Sequence, residues 1–250
     1  SGAAEAWLLA ALGFFDQEAW DDAAACSTRL RELKYDAAAL DSLDGRIAYA
    51  RGDMAAAENH FAKLSRKKNL DAPSAYLYGL ILNARGERRK ALPLFMRAAE
   101  LSPGERLYAF RLAECRFLTD GIDQGFKDSL AEALRLAPDD GWVLNLAGQA
   151  SLAEGKVEEA ESFFFKAAAA LPGTPEPAVN RAETLSLLGR REEALDILEP
   201  YRGADASAEN GLARRSPAPT PGRGAQLAST AGAFGGAFAS DVSRPFRDRA

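Results

Sequence analysis

Through residue 202 the small and apolar positions of the chain follow one recurring template: a glycine, an alanine five residues later and an aromatic nine residues later. It appears in GDMAAAENHF from Gly52, GERRKALPLF from Gly86 and GKVEEAESFF from Gly155, and again in GRREEALDIL from Gly189, with Leu198 in the aromatic slot. Seven residues before each of these glycines stands another small residue, Gly45, Gly79, Gly148 or Ala182. Gly52 and Gly86 are 34 residues apart, as are Gly155 and Gly189. Glycine suits the left-handed backbone that ends one helix, and Pro103, Pro138 and Pro172 are placed to end another. The pattern therefore predicts, in each unit, two helices joined by a tight turn.

These segments resemble the tetratricopeptide repeat, a unit of helix, turn and helix. The resemblance covers most of the chain and implies an all-α, right-handed superhelical solenoid of six repeats, at about 4–37, 38–71, 72–105, 106–140, 141–174 and 175–202. Close crossing of the two helices needs small side chains, so Gly79 is expected to face Ala91, while Phe61, Phe95 and Phe164 fill the space between consecutive hairpins. Two units depart from the template. The first has Glu18 in place of the turn glycine, and the fourth carries an extra residue around 120–123 with Gly125-Phe126 in place of the alanine, which should open its hairpin slightly. Pro93 falls inside a second helix and should weaken or bend it, and Pro200 should close the last helix near Glu199.

A hairpin cannot bury its apolar face alone, so stacked hairpins share a continuous core and present a concave surface lined by the first helices. The family resemblance places Arg46, Tyr49, Tyr76, Asn83, Phe110, Arg111, Trp142, Asn145 and Asn180 on that groove. Aromatic rings interleaved with amides and guanidinium groups suit an extended or helical segment of a partner protein. The carboxylate clamp of tetratricopeptide co-chaperones fits badly, because Trp142 and Glu176 occupy positions where that clamp has lysine. The leading expectation is a non-enzymatic protein-protein interaction scaffold. Its rivals are a structural subunit of a large envelope or secretion-related assembly, working through convex faces and ends, and a regulatory domain whose catalytic domain is absent.

Composition narrows the chemistry further. The net charge of -5 argues against a nucleic-acid surface, and no apolar run is long enough to cross a bilayer. The opening SGAAEAWLLAALGFF is too short and too lightly flanked by basic residues for a signal peptide, and the lack of an initiator Met suggests a mature or trimmed fragment. Cytoplasm and periplasm both remain open, and the alanine-rich repeats suggest a bacterial protein. One histidine, His60, and two cysteines, Cys26 and Cys115, supply neither a metal-ligand cluster nor a disulfide framework, so no catalytic residue, metal or cofactor is expected. The basic cluster Lys63, Arg66, Lys67 and Lys68 ends a second helix, where cations complement the helix dipole. Residues 203–250 are rich in Ala, Gly, Pro and Ser, lack a helical period and read as a disordered tail. With six basic and four acidic residues this tail carries a net +2, leaving -7 on the rest. Leu195, Leu198 and Tyr201 of the last helix lack a following polar cap; an unstructured end in a trimmed chain is the leading reading, and cover by 225–240 or a second copy is its rival.

Overall fold

Acidic side chains and glycines punctuate the chain into short helices. A computed structural model describes residues 2–201; the expected tail at 203–250 and its capping stretch 225–240 lie outside the described residues. Among the described residues there are twelve α-helices and no strand. They are α1 (Gly2–Asp16), α2 (Trp20–Glu32), α3 (Ala37–Ala50), α4 (Met54–Arg66), α5 (Ala72–Ala84) and α6 (Arg88–Leu101). There follow α7 (Arg106–Asp120), α8 (Gln124–Leu136), α9 (Gly141–Ala153), α10 (Val157–Ala170), α11 (Pro175–Leu187) and α12 (Arg191–Leu198). A 3-10 turn at Glu199–Tyr201 contains Pro200 and follows α12 directly.

The described residues form two compact units, 2–115 and 116–201, divided within α7. In the first, α1 packs on α2, α3 on α4 and α5 on α6 as antiparallel hairpins, and α2 and α4 each also touch the next hairpin. In the second, α9 pairs with α10 and α11 with α12, while α8 lies against α9 and α10 against α11.

Local chemistry fixes where each helix starts and stops. Asp36, Asp53, Asp71, Asp123 and Asp140 accept backbone N–H bonds at the starts of α3, α4, α5, α8 and α9. Such a cap contributes about 1 kcal/mol. At the end of α5, Gly86 adopts φ 78°. There its N–H donates to the Asn83 carbonyl, and the Glu87 N–H donates to that of Leu82. This double bond pattern satisfies carbonyls that a helix end otherwise leaves unpaired. Glu18, in the glycine slot of the first hairpin, is held at φ 61° by the same pair of bonds, from Glu18 N–H to Phe15 and from Ala19 N–H to Phe14. Lys34 and Lys68 take the left-handed conformation at the ends of α2 and α4, where α6 and α10 are followed instead by Pro-Gly.

The closest contact between the two helices of a hairpin is made by a ring. A Cβ on Gly79 would lie 2.7 Å from Cε1 of Phe95, and one on Gly45 or Gly148 would lie 2.6 Å from Cε1 of Phe61 or Phe164. The Phe95 ring thus occupies the volume that a side chain at 79 would fill. Phe61, Phe95 and Phe164 are sealed from solvent. Phe61 also reaches the following hairpin, with its ring centroid 6.3 Å from that of Tyr78.

The fourth unit solves the same packing problem differently. Phe126 stands one helical turn before the aromatic slot of α8, is buried, and stacks on Phe117 with centroids 5.2 Å apart. Gly125 leaves room for the Arg116 guanidinium beside it. Pro93 sits on the exposed side of α6, which continues as one helix to Leu101. Cys26 and Cys115 are both buried free thiols, and burial, with the Asp22 carboxylate, pushes the Cys26 thiol pKa upward. No described helix is long and apolar enough to cross a membrane.

Candidate functional site

The first helices α3, α5 and α7 of 2–115 carry six of the nine expected groove residues. On α3, the Arg46 guanidinium lies 4.6 Å from the centroid of the Phe15 ring of α1. Burial lowers the Arg46 pKa, against the opposing pull of the Asp71 and Asp16 carboxylates. Asp71 is itself ordered, since it caps α5 through the Ser74 N–H and accepts a hydrogen bond from the Ser42 hydroxyl at 2.6 Å. The Ser42 and Ser74 hydroxyls meet at 2.9 Å, so a buried polar seam joins α3 to α5.

One turn along, Arg111 of α7 is the centre of a second group. Its guanidinium donates to Glu114 at 2.8 Å and to the Tyr76 hydroxyl, and lies 5.3 Å from the centroid of the Phe110 ring. Burial opposes its charge, but Glu114 and Tyr76 outweigh burial and raise its pKa. Tyr76 is pushed up to about 12 by burial, in spite of the neighbouring cation. Its ring is 4.9 Å from that of Tyr108, a phenol likewise raised to about 12, by burial and then by Glu105. Tyr49 feels the Arg111 charge as well, and burial is the main cause of its raised pKa. All three phenols are therefore neutral hydrogen-bonding groups at physiological pH. Tyr76 and Phe110 are buried, whereas Arg46, Tyr49, Asn83 and Arg111 are half-buried. The arrangement sets aromatic rings around a fixed, mostly buried cation.

In 116–201 the remaining three residues lie on the first helices α9 and α11. Trp142 is half-buried in the first turn of α9, whose start is capped by Asp140. Asn145 is 3% exposed, donates from Nδ2 to Glu176 at 3.0 Å and accepts at Oδ1 from Nδ2 of Asn180 at 2.9 Å. These amides join α9 to α11 as a short ladder.

No family model matches the chain. A curated "TPR repeat-containing protein" of Treponema pallidum (strain Nichols) is 35% identical over an alignment of 182 residues that covers 68% of this chain. The chain spans 22% of the length of that relative. The chain is a tetratricopeptide repeat protein. Among solved structures, Pseudomonas aeruginosa pilF is similar with a TM-score of 0.69 at 14% identity, covering 86% of this chain and 98% of that one. The structure described as "YrrB: a TPR protein with an unusual peptide-binding site" gives a TM-score of 0.56 at 20% identity, covering 67% of this chain and 86% of its own. At these identities the solved structures speak for the tetratricopeptide fold alone.

Several polar residues of this tetratricopeptide repeat protein were not singled out by their sequence positions. Tyr108 and Asp71 join the arginine groups of the first-helix face, yet Asp71 sits where a cap is wanted and Tyr108 lies outside the expected groove residues. His60 and Lys63, on α4, converge on the buried Asp41 of α3, at 3.2 Å from Nδ1 and 2.7 Å from Nζ. Lys63 thus has a specific carboxylate partner in addition to its place at a helix end. Burial would raise the Asp41 pKa, but the hydrogen bonds and charges of Lys63 and His60 outweigh it and leave the carboxyl below its ordinary value. The spacing of 41, 60 and 63 holds no signal for this cluster without knowledge of how α3 and α4 face each other. Among the described residues no group of three His, Cys, Asp or Glu is arranged to hold a metal ion.

Proposed function

We propose that this protein is an interaction scaffold whose first-helix face in 2–115 holds a segment of a partner polypeptide. The observation that carries this reading is the fixed Arg111 guanidinium, braced by Glu114 and the Tyr76 hydroxyl beside the half-buried Tyr49. A cation already positioned by the fold loses little side-chain freedom on binding, and neutral phenols around it can bond to a peptide backbone while their rings pack on side chains. Asn83, on α5 with Tyr76, adds an amide to the same helix. The peptide-binding site named for YrrB lends support by likeness of fold, and its partner chemistry is that protein's own. Arg46, Phe110, Trp142, Asn145 and Asn180 complete the residues proposed to shape or support partner-binding surfaces. Of these, Asn145 acts by holding its two helices together.

The test is affinity capture with the wild-type chain beside a Tyr49→Ala, Asn83→Ala variant that retains helical content and melting temperature. Selective loss of one captured protein from the variant is expected, followed by direct binding of fragments of that protein to locate the segment. Equal capture by both chains sinks the first-helix face as the binding surface.

A further inference from the structure

A repeat of this kind buries its apolar face only against a neighbour. The second hairpin shows how: Leu43 and Ile47 of α3 share a core with Ala11, Phe15 and Cys26 of the first hairpin, and Leu40 shares one with Ala4 and Leu30. The repeat places leucine in the slot of Leu43 four times, at Leu9, Leu43, Leu77 and Leu146. Leu43, Leu77 and Leu146 each follow a hairpin in the chain and are 3%, 8% and 4% exposed, whereas Leu9 is 70% exposed. The slots beside it behave alike. Ala6 is exposed where Leu40, Ser74 and Val143 are buried, and a Cβ on Gly13, in the slot of Ile47 and Ile81, would meet open space. α1 therefore carries the face by which a first helix seats on a preceding hairpin, and among the described residues no hairpin precedes it.

The receiving face stands open at the other end. Ile197 and Tyr201, in the slots of the buried Cys26 and Leu30, are half-buried, and Leu195 is 52% exposed. In earlier units the slot of Leu195 meets the next first helix: Glu58 pairs with Arg85 at 2.6 Å, and Glu161 pairs with Arg181 at 3.0 Å. The slots of Arg181 and Arg85 are held on α1 by Ala10 and Gln17. The end that has leucine in place of the acid is thus matched by an end that has uncharged residues in place of the bases. An apolar match of this type already exists inside the chain, where Leu92 and Leu112, in the slots of Leu195 and Ala10, pack against one core.

We infer that a second copy of this chain covers both ends, with α1 of one copy seated on the α11–α12 hairpin of another as α3 seats on the first hairpin. The contact continues the hairpin-to-hairpin interface of the chain from one molecule to the next, and brings Leu9 and Ala10 against Leu195 and Ile197. Each copy contributes a different surface, so the association is head-to-tail, and an assembly that does not close on itself keeps one free face of each kind. Tyr49 and Asn83 take no part in it, so this inference and the proposed role of the first-helix face stand or fall separately.

Sedimentation velocity on the whole chain over a concentration series reads the association, with circular dichroism to check that each variant keeps its helices. The wild type is expected to pass from monomer to larger species as concentration rises. Leu9→Glu and Leu195→Glu alter exposed side chains and should each weaken self-association by about tenfold or more. Mixed together, these two variants should form a one-to-one complex, because each supplies the intact face that the other lacks. Ala10→Arg added to Leu195→Glu should restore association by installing the pair seen at Glu161 and Arg181. Should one variant fold poorly, the wild-type series and the other variant still decide. A wild type that stays monomeric up to about 1 mM overturns the inference, as do folded single variants that associate like the wild type or a mixture that stays monomeric. A chain that associates only once 203–250 is removed assigns the last hairpin to that region, and overturns it too.

Discussion

In 2–115, Arg46 and Arg111 lie against rings and carboxylates while Tyr49 and Asn83 remain half-buried on the same set of first helices. In 116–201, Asn145 is buried and bonded on both sides, to Glu176 and Asn180. By sequence position the two sets are equivalent candidates for binding a partner. What separates them is the group at the centre. In 116–201 a buried amide is bonded on both sides and ties α9 to α11. In 2–115 an arginine braced by Glu114 of its own helix ties α7 to α5 through Tyr76, and Tyr49 and Asn83 stay half-buried.

The largest expected effect tests the first of these regions. Arg111→Met leaves the Glu114 carboxylate and the Tyr76 hydroxyl without their donor in a mostly buried place, and should destabilise the first unit by about 3 kcal/mol. Urea unfolding followed by hydrogen exchange would locate the loss, and a cost below about 1 kcal/mol would mean that the arginine is not braced as described. The second region is probed by Asn145→Ala, which strips both Glu176 and Asn180 of a partner and should cost about 2 kcal/mol. Asn180→Ala should cost about half as much, since its residue is half-buried and water can replace one bond. A double-mutant cycle on the two asparagines should return a coupling of about 1 kcal/mol. Additive losses would dissolve the ladder, and with it the contrast between the units.

A smaller effect concerns acid. The Asp41 carboxyl has a lowered pKa in the folded protein, so its interactions stabilise the fold above the ordinary carboxylate range, and that contribution fades as pH falls through the folded value. Melting temperature should therefore drop more steeply below about pH 4 in the wild type than in Asp41→Asn. Parallel curves would show that Lys63 and His60 add nothing there. The smallest effect is expected at Glu154, whose carboxyl is held low by Lys156 and Lys127 at the surface. Solvent screens such pairs, and Glu154→Gln should move stability by no more than about 0.5 kcal/mol. A larger loss would show that the Lys127, Glu154 and Lys156 group is structural.

Much of the architecture could be read from punctuation. The turn glycines are in the left-handed region, as at Gly86, and even Glu18, out of type for its slot, adopts that conformation. Hydrogen bonds within a few residues of the turn decide it, and short-range decisions are visible in sequence. Side-chain pairing between helices is less visible. The spacing of Gly79, Ala91 and Phe95 does not say which side chain comes nearest the glycine, and the helix-crossing geometry makes it the ring. The same limit explains the site. Sequence placed Arg46, Tyr49, Tyr76, Asn83, Phe110 and Arg111 on first helices, but the partners that order them, Asp71, Tyr108 and Glu114, depend on rotamers and on the facing element. For Asn145 and Asn180, residue type pointed outward while their hydrogen bonds run from helix to helix.

The fit between Gly79 and Phe95 carries a consequence for how such a chain diverges. A bulkier residue can enter at 79 only after the ring at 95 has shrunk or withdrawn, and a smaller residue at 95 leaves a void that the bare backbone of 79 cannot close. Neither change is tolerable first without some slack elsewhere. The two positions should therefore accept substitution only together, and the last unit carries such a matched pair, with Ala182 and Leu198 in the slots of Gly79 and Phe95.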